Sequence, residues 1–310
     1  MLRELPLVIF TIIAQMSVGS FVVLGLIHLF GAKTAGRHII DKVSDPALYA
    51  IGPILALGLA ASILHLGTPI RAINALRHVD SSWLSREILF GLLFAVIGGT
   101  FAFSQWFRWL TPRLRQALAG LAALVGLGLI WSMTMVYLLP TVPAWDTWAT
   151  PIRFLASTFL LGSLAVGAAL VVTAEVRRRR GDSPNEASEW VIMSSLRGIA
   201  IGAIAMVGIE FIALPLYLGK LTADRSADGS AATATSAVVS ANTHDGYAVA
   251  QLVLVCLGVA LLGVFLTRLA KRFSTVRMLA VAPVAAFVLV FAGEIIGRML
   301  FYASYARIGL

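Results

Sequence analysis

The chemistry open to this sequence rests on a few ionisable side chains set in apolar surroundings. His65, Glu87, Glu210, Glu294 and Arg298, with Tyr137, Gln15 and Gln251, stand in or beside long hydrophobic runs. A charge near a bilayer centre costs at least about 2.5–3.5 kcal/mol, so each such group needs a reason. An imidazole titrating at about pH 6.5 is neutral before it takes a proton and charged after, which suits His65 to proton abstraction. It is equally compatible with an interfacial histidine at a helix end. Glu87 is either functional or no more than an acid at a helix N-terminus, where the dipole favours it. Glu294 and Arg298 are spaced i,i+4, which lets them neutralise each other on one helix face. Glu210 stands alone in its run and must be protonated or paired. Gln15 and Gln251 read as interhelical hydrogen-bond glue.

Composition says what must position these groups. Of 310 residues, 59% are hydrophobic and 13% charged, with a mean hydropathy of +0.90; soluble domains run at about 45–50% and about 25%. Too little polar surface remains to cover a soluble sphere, which excludes a cytosolic globular enzyme and disfavours disorder. Apolar runs of about 20 residues cross a bilayer as helices. Eight are found, at 6–30, 46–66, 85–106, 116–139, 151–175, 190–219, 247–270 and 277–303. The expected fold is therefore an all-α integral membrane protein, one polytopic domain over 1–310 in which eight transmembrane helices form a bundle. The segment 221–246, rich in Ser, Ala, Thr and Asp, is expected to be a flexible loop. The first run lacks a basic n-region and a small-residue cleavage site, and reads as a retained span.

The net charge of +9 comes with alternating loops. Lys33, Arg37 and Lys42, then Arg108, Arg113 and Arg115, then Arg177 to Arg180, and finally Arg268, Lys271, Arg272 and Arg277 place fourteen basic residues on one side. The other side holds eight: Arg3, Arg71, Arg77, Arg86, Arg153, Lys220, Arg225 and Arg307. The excess belongs to cytoplasmic loops and not to a nucleic-acid site, and it puts both termini outside the cytoplasm. On this topology His65, Glu87, Tyr137, Glu210, Glu294 and Arg298 gather in one leaflet, the outer one.

Of the five histidines, His28, His38, His65, His78 and His244, only His28 and His65 lie near spans, and they fall at opposite faces. No pair at matching depth offers a bis-histidine haem site. The single cysteine, Cys256, reads as buried helix filler and excludes a disulfide framework, a zinc ribbon and a cysteine-ligated iron–sulfur cluster. No resident metal, haem or iron–sulfur cluster is expected. Any redox work is then confined to one membrane surface.

Several segments carry a resemblance. His65-Leu-Gly-Thr-Pro69-Ile-Arg71, followed by Ser85-Arg86-Glu87, resembles the membrane-anchor subunit of anaerobic dimethyl sulfoxide reductases, the DmsC family. Glu4-Leu-Pro6-Leu-Val-Ile-Phe-Thr is similar to the family's opening, with Leu5 in place of its usual Trp. Val136-Tyr137, Thr141-Val-Pro143-Ala-Trp145 and Trp148-Ala-Thr150-Pro151 resemble its fourth and fifth helices, and Ala292-Gly-Glu294-Ile-Ile-Gly297-Arg298 with Phe301-Tyr302 its last. The loops at 177–189 and 221–246 show no such match.

The resemblance implies an eight-helix, haem-free subunit of the bacterial inner membrane, with both termini periplasmic. It implies partners, an iron–sulfur electron-transfer subunit and a molybdopterin catalytic subunit, and menaquinol as the substrate that this subunit oxidises. The family's quinol-site histidine and glutamate fall on His65 and Glu87. His65 would take a quinol hydroxyl proton and Glu87 would pass protons to the aqueous face. Arg71 or Arg77 would steady the developing quinolate, and Tyr137 with the aromatics near Trp145 would wall the ring. Glu210, Glu294 and Arg298 are either structural or part of a proton path. Three competing readings stand beside this one: a polysulfide- or tetrathionate-reductase type of quinol subunit, a purely structural anchor, and a secondary transporter. The last predicts inverted repeats with helices broken at the midplane.

Overall fold

A computed structural model describes residues 5–65, 74, 76–182, 185–224, 246–270 and 276–305, with backbone alone at 32–33, 59, 61–65, 218, 220–224, 270 and 276–280. Within these residues the chain forms eight α-helices: α1 (Leu5–Ala35), α2 (Arg37–His65), α3 (Trp83–Phe107), α4 (Pro112–Tyr137), α5 (Ala149–Arg179), α6 (Glu186–Asp224), α7 (Tyr247–Ala270) and α8 (Val276–Ala303). No strand occurs among the described residues. All but α2 are long and apolar enough within them to cross a membrane; the apolar half of α2 ends in residues described by backbone alone. The expected loop 221–246 lies mostly outside the described residues.

The starts follow local chemistry. Ser82 caps α3 by accepting from the Ser85 N–H at 3.4 Å, and Thr111 caps α4 before Pro112 at its first position. One boundary departs from expectation, since α2 starts nine residues before position 46. Gly36, at φ 81°, turns the chain by itself between α1 and α2, a conformation glycine adopts without steric cost. Pro46 then lies inside the helix and leaves the Lys42 carbonyl without its usual donor. The Arg177 guanidinium supplies one at 2.7 Å.

α1 and α5 form the buried centre of the bundle, and they meet at Gly19 and Gly162. A Cβ on either would collide with the backbone of the other helix. Such small-residue crossings suit a membrane interior, where close backbone packing replaces the hydrophobic effect. α2 packs on α1, α4 on α3, α6 on α5 and α8 on α7. The outer surface is apolar, with Leu29, Val96, Phe103 and Leu124 exposed, and Trp83, Trp106, Trp109, Trp148 and Trp190 stand near helix ends like an interfacial belt. Cys256 faces out of the bundle on α7, correcting the expectation of a buried position. Its helix is apolar all round, so periodicity could not tell which side is covered.

Three of the basic junctions meet among the described residues. The α1–α2, α3–α4 and α5–α6 junctions converge on one face through Arg108 with Asp41 and Asp45, and Lys42 with Asp182 at 3.3 Å. This is the arginine-rich face.

Candidate functional site

At the opposite face, the C-terminal ends of α4 and α8 meet the N-terminal ends of α3 and α5. Glu87, in the second turn of α3, is buried to 6% exposure. Tyr137, the last residue of α4, places its hydroxyl 2.8 Å from that of Tyr302 on α8. Both tyrosines lie in the electrostatic field of the Glu87 carboxyl. Around Tyr137 stand Trp145, Phe154, Phe301 and Tyr302, each with ring centroids 5.5 Å away. Trp145, from the α4–α5 connection, stacks on Phe301 at 13° and donates its indole N–H to the Phe301 carbonyl at 2.9 Å. These rings form a solid aromatic plug with one carboxyl behind it.

The ladder of polar groups continues down α8 at four-residue spacing, from Tyr302 to Arg298 to Glu294. Arg298 is buried and its guanidinium lies 3.8 Å from the centre of the Phe154 ring. It donates to Gln15 Oε1 at 2.8 Å and Ser157 Oγ at 3.2 Å, while Gln15 Nε2 donates to the Phe154 carbonyl at 2.9 Å. One cation thus ties α1, α5 and α8 together. The i,i+4 neutralisation by Glu294 is not realised: among the described residues the two form no ion pair within 4.0 Å, because the guanidinium turns toward α1 and α5. Gln15 is interhelical glue, as its isolation in an apolar run indicated.

Glu294 instead faces a cavity of about 240 Å³ that it shares with Arg153, Glu210, Tyr217, Gln251 and Arg298. Its Oε1 is buried without a hydrogen-bond partner, and Glu210 stands opposite it. Phe154 and Phe301 of the aromatic plug form part of the chamber's wall.

The expected site residues therefore fall in three groups. Glu87 and Tyr137 come together; Glu210, Glu294 and Arg298 surround the adjoining chamber. Arg77 lies in a short 3-10 turn (Leu76–His78) with its side chain exposed, so no described contact brings it to the cluster. His65 ends α2 as backbone alone, and Arg71 lies outside the described residues. Arg86 anchors the segment before α3 by donating to the carbonyls of Val79 at 2.8 Å and Asp80 at 2.6 Å. Tyr302 is the neighbour of Tyr137 that sequence reasoning left out of the candidate site. Its position four residues after Arg298, on the Glu294 face, was the available signal.

Fold and site define a polytopic helical membrane subunit whose buried polar groups concentrate near one face. The model of the DMSO reductase anchor subunit (DmsC) family matches residues 1–304. The sequence is 30% identical to the YnfH subunit of an Escherichia coli anaerobic dimethyl sulfoxide reductase over 314 residues, covering 99% of this protein and 97% of that one. It is 30% identical to the C subunit of the same organism's anaerobic dimethyl sulfoxide reductase over 309 residues, with the same coverage. Identity to the corresponding C subunit from Haemophilus influenzae is 34% over 217 residues, 67% of this protein and 70% of the relative. The chain belongs to the DMSO reductase anchor subunit family. It is a multi-pass membrane protein in the anchor role, associating with catalytic reductase subunits.

Proposed function

We propose that this subunit oxidises menaquinol at the face opposite the arginine-rich loops and hands the electrons to an iron–sulfur partner, which feeds a molybdopterin catalytic subunit. The observation that carries this reading is the buried Glu87 carboxyl at the same end of the bundle as the Tyr137–Tyr302 hydroxyl pair, the end to which His65 also belongs. A quinol ring needs an apolar wall, a proton acceptor and a route for two protons. The aromatic plug supplies the wall. His65 takes the first hydroxyl proton, Glu87 relays protons to the aqueous face, and two electrons leave as the hydroquinone becomes a quinone. Arg71 or Arg77 steadies the quinolate from the connection between α2 and α3.

Arg298 bears on the proton route. A guanidinium does not give up its proton in a protein, so a relay from Tyr302 down α8 stops there. This favours a structural role for Glu210, Glu294 and Arg298 and leaves Glu87 as the exit. With no haem expected, the iron–sulfur partner docks on the same face. The positive-inside rule makes that face, and both termini, periplasmic in the bacterial inner membrane.

The test is quinol-dependent turnover of the assembled complex with His65→Ala and Glu87→Gln. Each should lose about 10²–10⁴-fold, while subunit assembly and turnover from a soluble electron donor stay intact. Near-normal turnover with menaquinol in both variants would overturn the assignment.

A further inference from the structure

On the arginine-rich face, a cleft of about 510 Å³ opens between α1, α2, α3 and α4. Its walls are apolar, formed by Phe21, Leu24, Leu29, Phe101, Ala119 and Ala123. Gly25 and Gly120 leave its floor open, since a Cβ built on either meets nothing within 4 Å. From Phe21 to Leu29 the α1 wall runs eight residues, about 12 Å at the helical rise, most of the roughly 15 Å of one leaflet.

The rim is polar and already organised. Arg108 donates to Asp41 and, at 3.1 Å, to Asp45. Asp45 also accepts from Gln105 Nε2 at 3.0 Å, and Gln105 Oε1 in turn accepts from Arg115 Nη1 at 2.6 Å. His28 is held against Ser44 Oγ at 2.6 Å. Arg115 keeps a buried Nε–H without an acceptor, and Arg37 forms no ion pair among the described residues. Three guanidiniums therefore face two carboxylates, leaving one positive charge at the mouth of an apolar slot.

We propose that this cleft binds one anionic phospholipid, with its phosphodiester at Arg37 and Arg115 and one acyl tail along α1 toward Gly120. The surplus of one charge matches a phosphodiester monoanion and not a zwitterionic headgroup. The slot's length and apolar walls distinguish a lipid from free phosphate, which would leave the slot empty. Basic pockets between transmembrane helices take such headgroups, at about 1 kcal/mol per arginine near the surface. The site is separate from the quinol reading and does not depend on it.

The test is native mass spectrometry of the full-length protein, purified with its accompanying subunits in mild detergent and titrated with phosphatidylglycerol or phosphatidylethanolamine. Phosphatidylglycerol should be retained at one per anchor subunit. Arg37→Gln, which touches none of the ionic network, should weaken it about fivefold, and Arg37→Gln with Arg115→Gln about 25-fold. Gly120→Leu keeps every charge but fills the slot, and should abolish retention. Equal retention of both lipids, or no retention of either, would overturn the proposal. So would displacement by inorganic phosphate with Gly120→Leu unaffected, which would mark a free-anion site.

Discussion

Replacing Tyr137 with Phe separates a ring that walls a ligand from a hydroxyl that moves protons. The substitution removes one oxygen from a buried pair 2.8 Å apart and leaves every ring contact in place. Tyr137 is the Tyr302 hydroxyl's partner among the described hydrogen bonds, and Thr11 already donates to the Val8 carbonyl. The expected loss is that of one hydrogen bond within a membrane, about 0.6 kcal/mol and at most about 1.7 kcal/mol. A double-mutant cycle of Tyr137→Phe and Tyr302→Phe, read from unfolding in mixed micelles, should return that coupling. Tyr137→Ala empties a site ringed by four aromatic residues and should cost about 3–5 kcal/mol. With menaquinol, Tyr137→Phe should keep turnover within about threefold, the rate equivalent of the lost bond. A folded Tyr137→Phe complex that loses 10²-fold or more would refute the wall assignment and make the hydroxyl a proton-transfer group. A coupling near zero would refute the pairing itself.

Three further substitutions probe the packing and the chamber. Gly162→Leu drives a side chain into the α1 backbone at Gly19, a clash no rotamer relieves, and should cost at least about 3 kcal/mol. Gly99→Ala, with nothing within 4 Å of the added methyl, should be neutral or stabilising, as thermal melts of the solubilised protein would show. Glu294→Gln preserves shape behind Arg298 and should leave quinol turnover within about twofold. A loss above tenfold would return Glu210 and Glu294 to the proton path.

Much of this architecture is legible in hydropathy alone, because a backbone in lipid must satisfy itself as helix and the runs long enough to do so are few. The start of α2 escaped that logic. The apolar run begins at 46, whereas the helix runs back through Pro46 to Arg37, and the carbonyl that Pro46 leaves free finds its donor in Arg177, 135 residues away. The candidate site divides the same way. Glu87 and Tyr137 stand out as polar groups at matching depth, a property of single spans. The partners of Arg298 do not, since Gln15 and Ser157 reach it only because the Gly19–Gly162 crossing presses α1 against α5. Sequence spacing offered Glu294 instead, the local partner that this crossing outcompetes. Tyr302 could have been read from its four-residue step beyond Arg298.

The two ends of the bundle solve opposite electrostatic problems. At the arginine-rich face the charges are partly exposed and tied in pairs across loops, with Arg108 serving Asp41 and Asp45 at once; pairs of this kind hold junctions together and leave a net positive rim. At the other face Glu87, Glu294 and Arg298 are buried, and Arg298, in the polar ladder of α8, is consumed by neutral acceptors. On the proposed reading, a lipid-soluble hydroquinone loses its protons among the buried acid and rings of the second environment. Placing oxidation there also keeps the electron hand-over and the proton release on a single surface. The anchor then needs no conductor through its centre, and the centre is free to be the close glycine crossing of α1 and α5.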